Sequence, residues 1–141
     1  MPVWARQAAV IPIRDGRVCL VTSSSGKRWV VPKGQIDPGH TPGEAALVEA
    51  WEEAGLVGAL DAEPLGAYAY EKLGRELHVL VYRMIVTEAR DEWPERNLRE
   101  RVWVTLDEAV ERIEEPGLRD LLKIAFQTNN KPNERRILAS A

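Results

Sequence analysis

Apolar and polar positions along the chain change period several times, and each change marks an element. Residues 7–13 are rich in Ala, Val and Ile and predict a strand, with Pro12 pointing to an edge position because proline cannot donate to a ladder. Asp15-Gly16 is a hairpin turn signal, so 17–23 is the returning strand. Ser24, Ser25 and Gly26 make a loop, and 29–31 is a short buried strand stopped by Pro32. The Gly- and Pro-containing stretch 33–40 reads as a loop. Residues 65–70 return to strand, and 77–86 is nearly continuous in apolar residues, the pattern of a strand central to a sheet. The polar stretch 89–101, broken by Trp93-Pro94, is a loop before a short strand at 102–104. Leu106, Ala109, Val110 and Ile113 start a helix, Glu115-Pro116 interrupts it, and 118–126 continues as a terminal helix. These elements predict an α+β domain with a mixed, curved sheet, one helix against it and the C-terminal helix on the other side. The domain is expected to run over 1–126, with 127–141, which holds Asn129-Asn130-Lys131-Pro132, as a flexible tail.

The segment between the two halves is the most informative. Thr41 is a good N-cap, Pro42 suits N1, and Glu44 three residues after Thr41 completes a capping box. Gly55 is placed to end the helix in a left-handed conformation. Leu47, Ala50, Trp51 and Ala54 are expected to pack on a core. Glu49, Glu52 and Glu53 fall on the other side, within an arc of roughly 100°. Like charges at these spacings weaken a helix, so a cation is the natural counterweight. With no Cys or His among them, the carboxylates suit hard ions such as Mg²⁺ or Mn²⁺. A plain surface helix with an acidic stripe has the same pattern. Glu44 points elsewhere and reads as a cap.

Composition narrows the partners. The chain has 141 residues and a formal net charge of −3, from 19 basic and 22 acidic residues. That balance gives no electrostatic case for a nucleic acid or an anionic membrane. Cys19 lies in an apolar run and reads as a buried small hydrophobe; one cysteine allows no internal disulfide, which fits a cytoplasmic setting. No signal-peptide pattern opens the sequence, and no stretch is long and apolar enough for a membrane span.

The segment from Gly34 to Leu56 resembles the Nudix box: Gly, five residues, Glu, seven residues, Arg-Glu, an aliphatic, one residue, Glu-Glu, one residue, Gly, an aliphatic. Gly34, Glu49, Glu52, Glu53, Gly55 and Leu56 match it, Ala50 matches weakly, and the spacing is kept throughout. The flanks, Trp29-Val30-Val31-Pro32-Lys33-Gly34 and Glu92-Trp93-Pro94 followed by a charged run, resemble the branch that hydrolyses diphosphoinositol polyphosphates and diadenosine polyphosphates. The family's first Glu is His40 here and its Arg is Val48. These two usually pin the loop to the helix, and losing both is less damaging than leaving one charge unmatched.

The resemblance implies the Nudix fold, a mixed sheet sandwiched between helices, and a metal-dependent attack of water on a P–O–P linkage. It implies that Glu49 and Glu53 hold Mg²⁺ (or Mn²⁺) and that a backbone carbonyl of Lys33 or Gly34 completes the shell. Glu52 is the candidate general base, with Glu92 or Glu95 as loop alternatives. Phosphate grip is expected from Arg6, Lys33, Arg75 and Arg99, with Lys27 and Arg28 as further cations and the turn Thr22, Ser23 and Ser24 touching substrate. Tyr68 and Tyr70 are either base-stacking or sheet-packing residues. The partner is expected to be a small-molecule polyphosphate, and the chain a monomer or homodimer. Two alternatives stay open: another nucleoside diphosphate derivative as substrate, or a Nudix-fold sensor that binds without turnover.

Overall fold

The central pair of strands is β1 (Trp4–Arg14) and β7 (Arg75–Ala89), which run parallel with Trp4 opposite Glu76 and Ile13 opposite Ile85. The computed structural model describes residues 4–127 and 136–138. Asp15 and Gly16 both take positive φ, 52° and 73°, which is the turn that lets β2 (Arg17–Thr22) fold back on β1. Outward from this pair the strand order is β3 (Trp29–Val30), β2, β1, β7, β5 (Leu56–Asp61), β9 (Arg136–Leu138). Three further strands branch off: β4 (Lys33–Gln35) on β1, β6 (Gly66–Lys72) on β7 and β8 (Arg101–Val104) on β2. Every pairing except β1–β7 is antiparallel, so the sheet is mixed.

The apolar run of β1 follows from burial on both faces. Ala8 and Val10 face α1 (Pro42–Ala54), together with Val21, Leu56, Met84 and the helix residues Ala46, Ala50 and Ala54. Ala9, Ile11 and Ile13 face α2 (Leu106–Arg112) and α3 (Pro116–Gln127), against Ile113, Leu118, Leu122 and Ala125. Helices on both faces close the sandwich. Among the described residues no helix is long and apolar enough to cross a membrane.

Four expectations are corrected and one strand, β5, is added. Pro12 sits in an interior strand, not at an edge. The Val10 N–H points to the Pro32 carbonyl, away from β7, and by alternation the missing N–H of Pro12 falls on that side too. There β1 pairs with β4 at residues 7–9 and with β2 at 13–14, so no registered ladder position is lost. Second, 33–35 is strand β4 rather than loop, because its backbone completes the β1 edge. The added strand β5 follows α1 directly and pairs with β7. Third, Trp51 is 37 % exposed; the face of α1 on the sheet is built from alanines, which bring the helix close. Fourth, part of the expected tail, Arg136–Leu138, pairs with β5, while 128–135 and 139–141 lie outside the described residues.

Candidate active site

Helix α1 is held at both ends as its sequence predicts. The Thr41 side chain accepts from the Glu44 N–H at 3.1 Å, and the Glu44 carboxylate accepts from the Thr41 N–H at 2.8 Å. Gly55, at φ 68°, turns its N–H back to the carbonyls of Ala50 and Trp51. A Cβ on Gly55 would lie 2.9 Å from the Trp93 ring, so the glycine also lets the 90–100 loop close over the end of the helix. Trp93 Nε1 donates to the Glu53 carbonyl at 3.0 Å, and the Arg101 guanidinium stacks on the Trp93 ring at 4.2 Å while donating to the Ala54 carbonyl. The cation thus sits on the negative end of the helix dipole.

This frame brings Glu49 and Glu53 together. They stand one turn apart on the side of α1 nearest β4, close enough for the charge of Glu53 to act on Glu49. Gly34 makes the space: a Cβ there would meet the Glu49 carboxylate oxygens at 2.5 and 2.6 Å. Glu53 is 7 % exposed and accepts from the Lys33 N–H at 3.2 Å and from Arg99 at 3.3 Å. Burial, then the charges of Glu53, Glu52 and Glu95, push Glu49 up to about 8. Burial pushes Glu53 up to about 7 against the pull of Arg99, the Lys33 N–H and the Lys33 charge. Burial disfavours the charged form of each carboxyl, and for Glu49 the neighbouring carboxylates add to it. Burial also lowers the Lys33 pKa, with Glu53 and Glu115 acting against it.

Among the described residues no three His, Cys, Asp or Glu side chains already stand at metal-ligand spacing. Two adjacent carboxylates of hard oxygen donors still fit Mg²⁺, which keeps several waters and takes one or two carboxylates plus substrate phosphates. The room that Gly34 leaves for the Glu49 carboxylate and the carboxylates of Glu53, Glu52 and Glu95 acting on it are the observations that support the fit. Glu52 stands close enough for its charge to act on Glu49. His40 and Val48 are both exposed.

The other candidates divide. Arg99 is committed to protein acceptors: Nε to Glu95 at 2.8 Å, one terminal nitrogen to the Thr22 carbonyl at 2.8 Å, the other to Glu53. Its geometry makes it an organiser of the acid pair, not a free phosphate contact. Thr22 is buried, and its hydroxyl accepts from the Glu100 N–H at 2.9 Å. Ser23 Oγ accepts from the Arg28 N–H at 3.2 Å within the same turn, and Ser24 is exposed. Arg28 is drawn away towards Glu114 and Glu115. Arg6 and Lys27 are exposed, Arg6 on the α1 face of β1. Lys33 Nζ lies 5.4 Å over the Tyr70 ring, and Tyr70 donates to Gln7 at 2.9 Å, on the opposite face of the sheet. Tyr68 is buried core, stacked on Tyr70. Arg75 closes the β6–β7 hairpin.

Of the loop carboxylates, Glu95 faces the site and acts on both Glu49 and Glu53, whereas Glu92 is exposed and paired with Arg96. Arg101 and Gln7 had no signal in the sequence, since each gains its role from contacts with residues distant in the chain.

A NUDIX domain profile matches residues 4–123, and the chain belongs to the Nudix family. It is 35% identical over 109 residues to Nudix hydrolase 4 of Arabidopsis thaliana, covering 76% of this chain and 52% of that protein. It is 36% identical over 100 residues to human diphosphoinositol polyphosphate phosphohydrolase 3-beta, covering 69% of this chain and 60% of that protein. The chain therefore spans between about half and two-thirds of the length of these curated relatives. In fold it is similar to an Ap4A hydrolase of C. elegans solved as a binary complex, with a TM-score of 0.66 at 21% identity, covering 85% of this chain and 93% of that one. The mixed sheet between helices is the Nudix fold.

Proposed function

We propose that this chain is a divalent-cation-dependent hydrolase that cleaves a P–O–P linkage by attack of water at phosphorus, in a dinucleoside polyphosphate or a diphosphoinositol polyphosphate. The observation that carries the reading is the Glu49–Glu53 carboxyl pair, one turn apart on α1, with Glu49 set into the space left by Gly34. An anionic nucleophile must approach an anionic diphosphate, so the barrier is largely electrostatic. Bound Mg²⁺, or Mn²⁺ in its place, would screen that charge and acidify water. Glu49 and Glu53 would hold it, with a backbone carbonyl of Lys33 or Gly34. Glu52 is the base that orients or deprotonates the water, with Glu95 the loop carboxylate in reach. Arg99 fixes Glu53 and Glu95 relative to one another. Lys33, Arg75, Arg6 and the Ser23-Ser24 turn supply phosphate contacts.

The test is a panel of diphosphates incubated with the purified chain and Mg²⁺ or Mn²⁺ in parallel, with products identified by mass. Metal-dependent cleavage with one oxygen from solvent water is expected. Ligand-induced thermal stabilisation with no turnover on any diphosphate would replace the hydrolase with a sensor.

A further inference from the structure

An α-helix leaves the carbonyls of its last turn without partners inside the helix. In α1 these belong to Trp51, Glu52, Glu53 and Ala54. The Gly55 N–H takes the first. The other three are each met by a donor from one distant segment, 90–101. The Glu95 N–H donates to the Glu52 carbonyl at 3.0 Å, Trp93 Nε1 to that of Glu53 at 3.0 Å, and Arg101 to that of Ala54 at 2.8 Å. The next carbonyl, of Gly55, accepts from the Arg90 N–H at 2.9 Å. The last turn of α1 carries no basic residue of its own, so Arg101 supplies the cation that its negative end favours.

The far end of the segment is fixed as firmly. The Thr22 N–H donates to the Glu100 carbonyl at 3.1 Å, the Glu100 N–H donates back to the Thr22 hydroxyl at 2.9 Å, and Arg99 donates to the Thr22 carbonyl. Between these two anchorages lie Glu95 and Arg99, joined at 2.8 Å and turned to the acid pair. Glu53 is therefore gripped twice by the same segment, at its carbonyl by Trp93 and at its carboxylate by Arg99. A shift of the segment moves both holds together.

We infer that Trp93 and Arg101 are positioning residues of the acid pair. By tying 90–101 to the end of α1 they set where the Glu53 carboxylate stands relative to Glu95 and Arg99, and so how tightly the site holds a divalent cation. The metal role of the carboxylates rests on the hydrolase reading; the tie does not. The two side chains act as one unit, since the Arg101 guanidinium lies on the Trp93 ring and also donates to the Arg90 carbonyl at 2.8 Å.

Hydrogen exchange reads the place of Glu53 with no metal present, because the Lys33 N–H donates to its Oε1. Trp93→Phe keeps a ring against Gly55 and Arg101 and removes the indole N–H. It should speed exchange at Lys33 by about tenfold relative to the Val10 N–H, which donates to the neighbouring Pro32 carbonyl and serves as the internal standard. Mg²⁺ affinity by calorimetry should fall by about tenfold or more. Arg101→Ala should give both changes, and Arg101→Lys should recover part of each by restoring a cation at the helix end. Ile113→Val, in the core on the other face of the sheet, should lower the urea midpoint and leave the Lys33 to Val10 ratio and the Mg²⁺ affinity as they are. Urea melts confirm that every variant is folded. Wild-type ratio and affinity in both Trp93→Phe and Arg101→Ala, or the same losses in Ile113→Val, overturn the inference. Faster Lys33 exchange in the first two variants of a chain that binds no Mg²⁺ and cleaves no diphosphate upholds the positioning of Glu53 and removes the hydrolase reading instead.

Discussion

Replacing Gly34 by alanine tests the acid pair without touching a charged residue. The added Cβ would lie 2.5 and 2.6 Å from the two Glu49 oxygens, whereas ordinary contact begins at 3.4 Å. The carboxylate must therefore retreat by about 1 Å, and a displacement of that size in catalytic geometry costs on the order of 100-fold in rate. The obstacle is the far end of a flexible side chain, so the backbone of β4 has no reason to move. Gly34 has no positive φ, and alanine in a strand is favoured over glycine by roughly 0.5–1 kcal/mol. Stability should stay within about 1 kcal/mol of wild type, since that gain offsets the shifted carboxylate. Metal affinity by calorimetry should fall by about 10- to 100-fold, the usual consequence of disturbing the support of a ligand. Urea melts, metal titration and kcat/KM at saturating Mg²⁺ give the three readings. A folded Gly34→Ala protein with wild-type metal affinity and turnover would show that Glu49 need not occupy its observed place, and the reasoning from the pair would fail.

Glu53→Gln should keep the Lys33 N–H contact and the fold yet lose metal-dependent turnover by at least about 100-fold; near-normal turnover would take the metal role from this side of α1. Arg99→Ala leaves Glu53 and Glu95 without their shared cation and should lower stability by about 3 kcal/mol in urea unfolding. An unchanged midpoint would reduce Arg99 to an exposed pair. Both Glu49 and Glu53 have folded-state pKa values raised, to about 8 and about 7, above the 4.5 of an ordinary Glu. The folded state then binds more protons than the unfolded state between pH 4.5 and about 8, so the metal-free protein should lose stability as pH rises through that window. Mg²⁺ should reverse the loss most strongly at the alkaline end, and the difference in Tm between wild type and Glu49→Gln isolates it; a pH-independent difference contradicts the shifts.

Local chemistry was readable from the sequence wherever one segment determines it. The capping box of Thr41 and Glu44, the Gly55 terminus, the Asp15-Gly16 turn and the central position of the 77–86 run each depend on neighbours within a few residues. What escaped depends on contacts across the chain. Strand β4 has three residues and exists because β1 offers it an edge. Trp51 lies on the apolar side of a helical wheel, but the close approach that alanines allow leaves a ring that large no room beneath the helix. Thr22 looks like part of a substrate turn until the Glu100 N–H is found on its hydroxyl. Arg99 looks like a phosphate ligand until the fold supplies three acceptors around it. Charge type is written in the sequence; whether a charge is already spent on the protein is decided by tertiary packing.

The parallel register of β1 against β7 also bears on how the chain is made. Strand β1 leaves the ribosome well before its main partner at residues 76–85, so it must wait for the intervening segment to emerge. Until then an apolar ribbon, flanked only by β2 and the three-residue β4, is open to wrong pairings of the kind chaperones intercept.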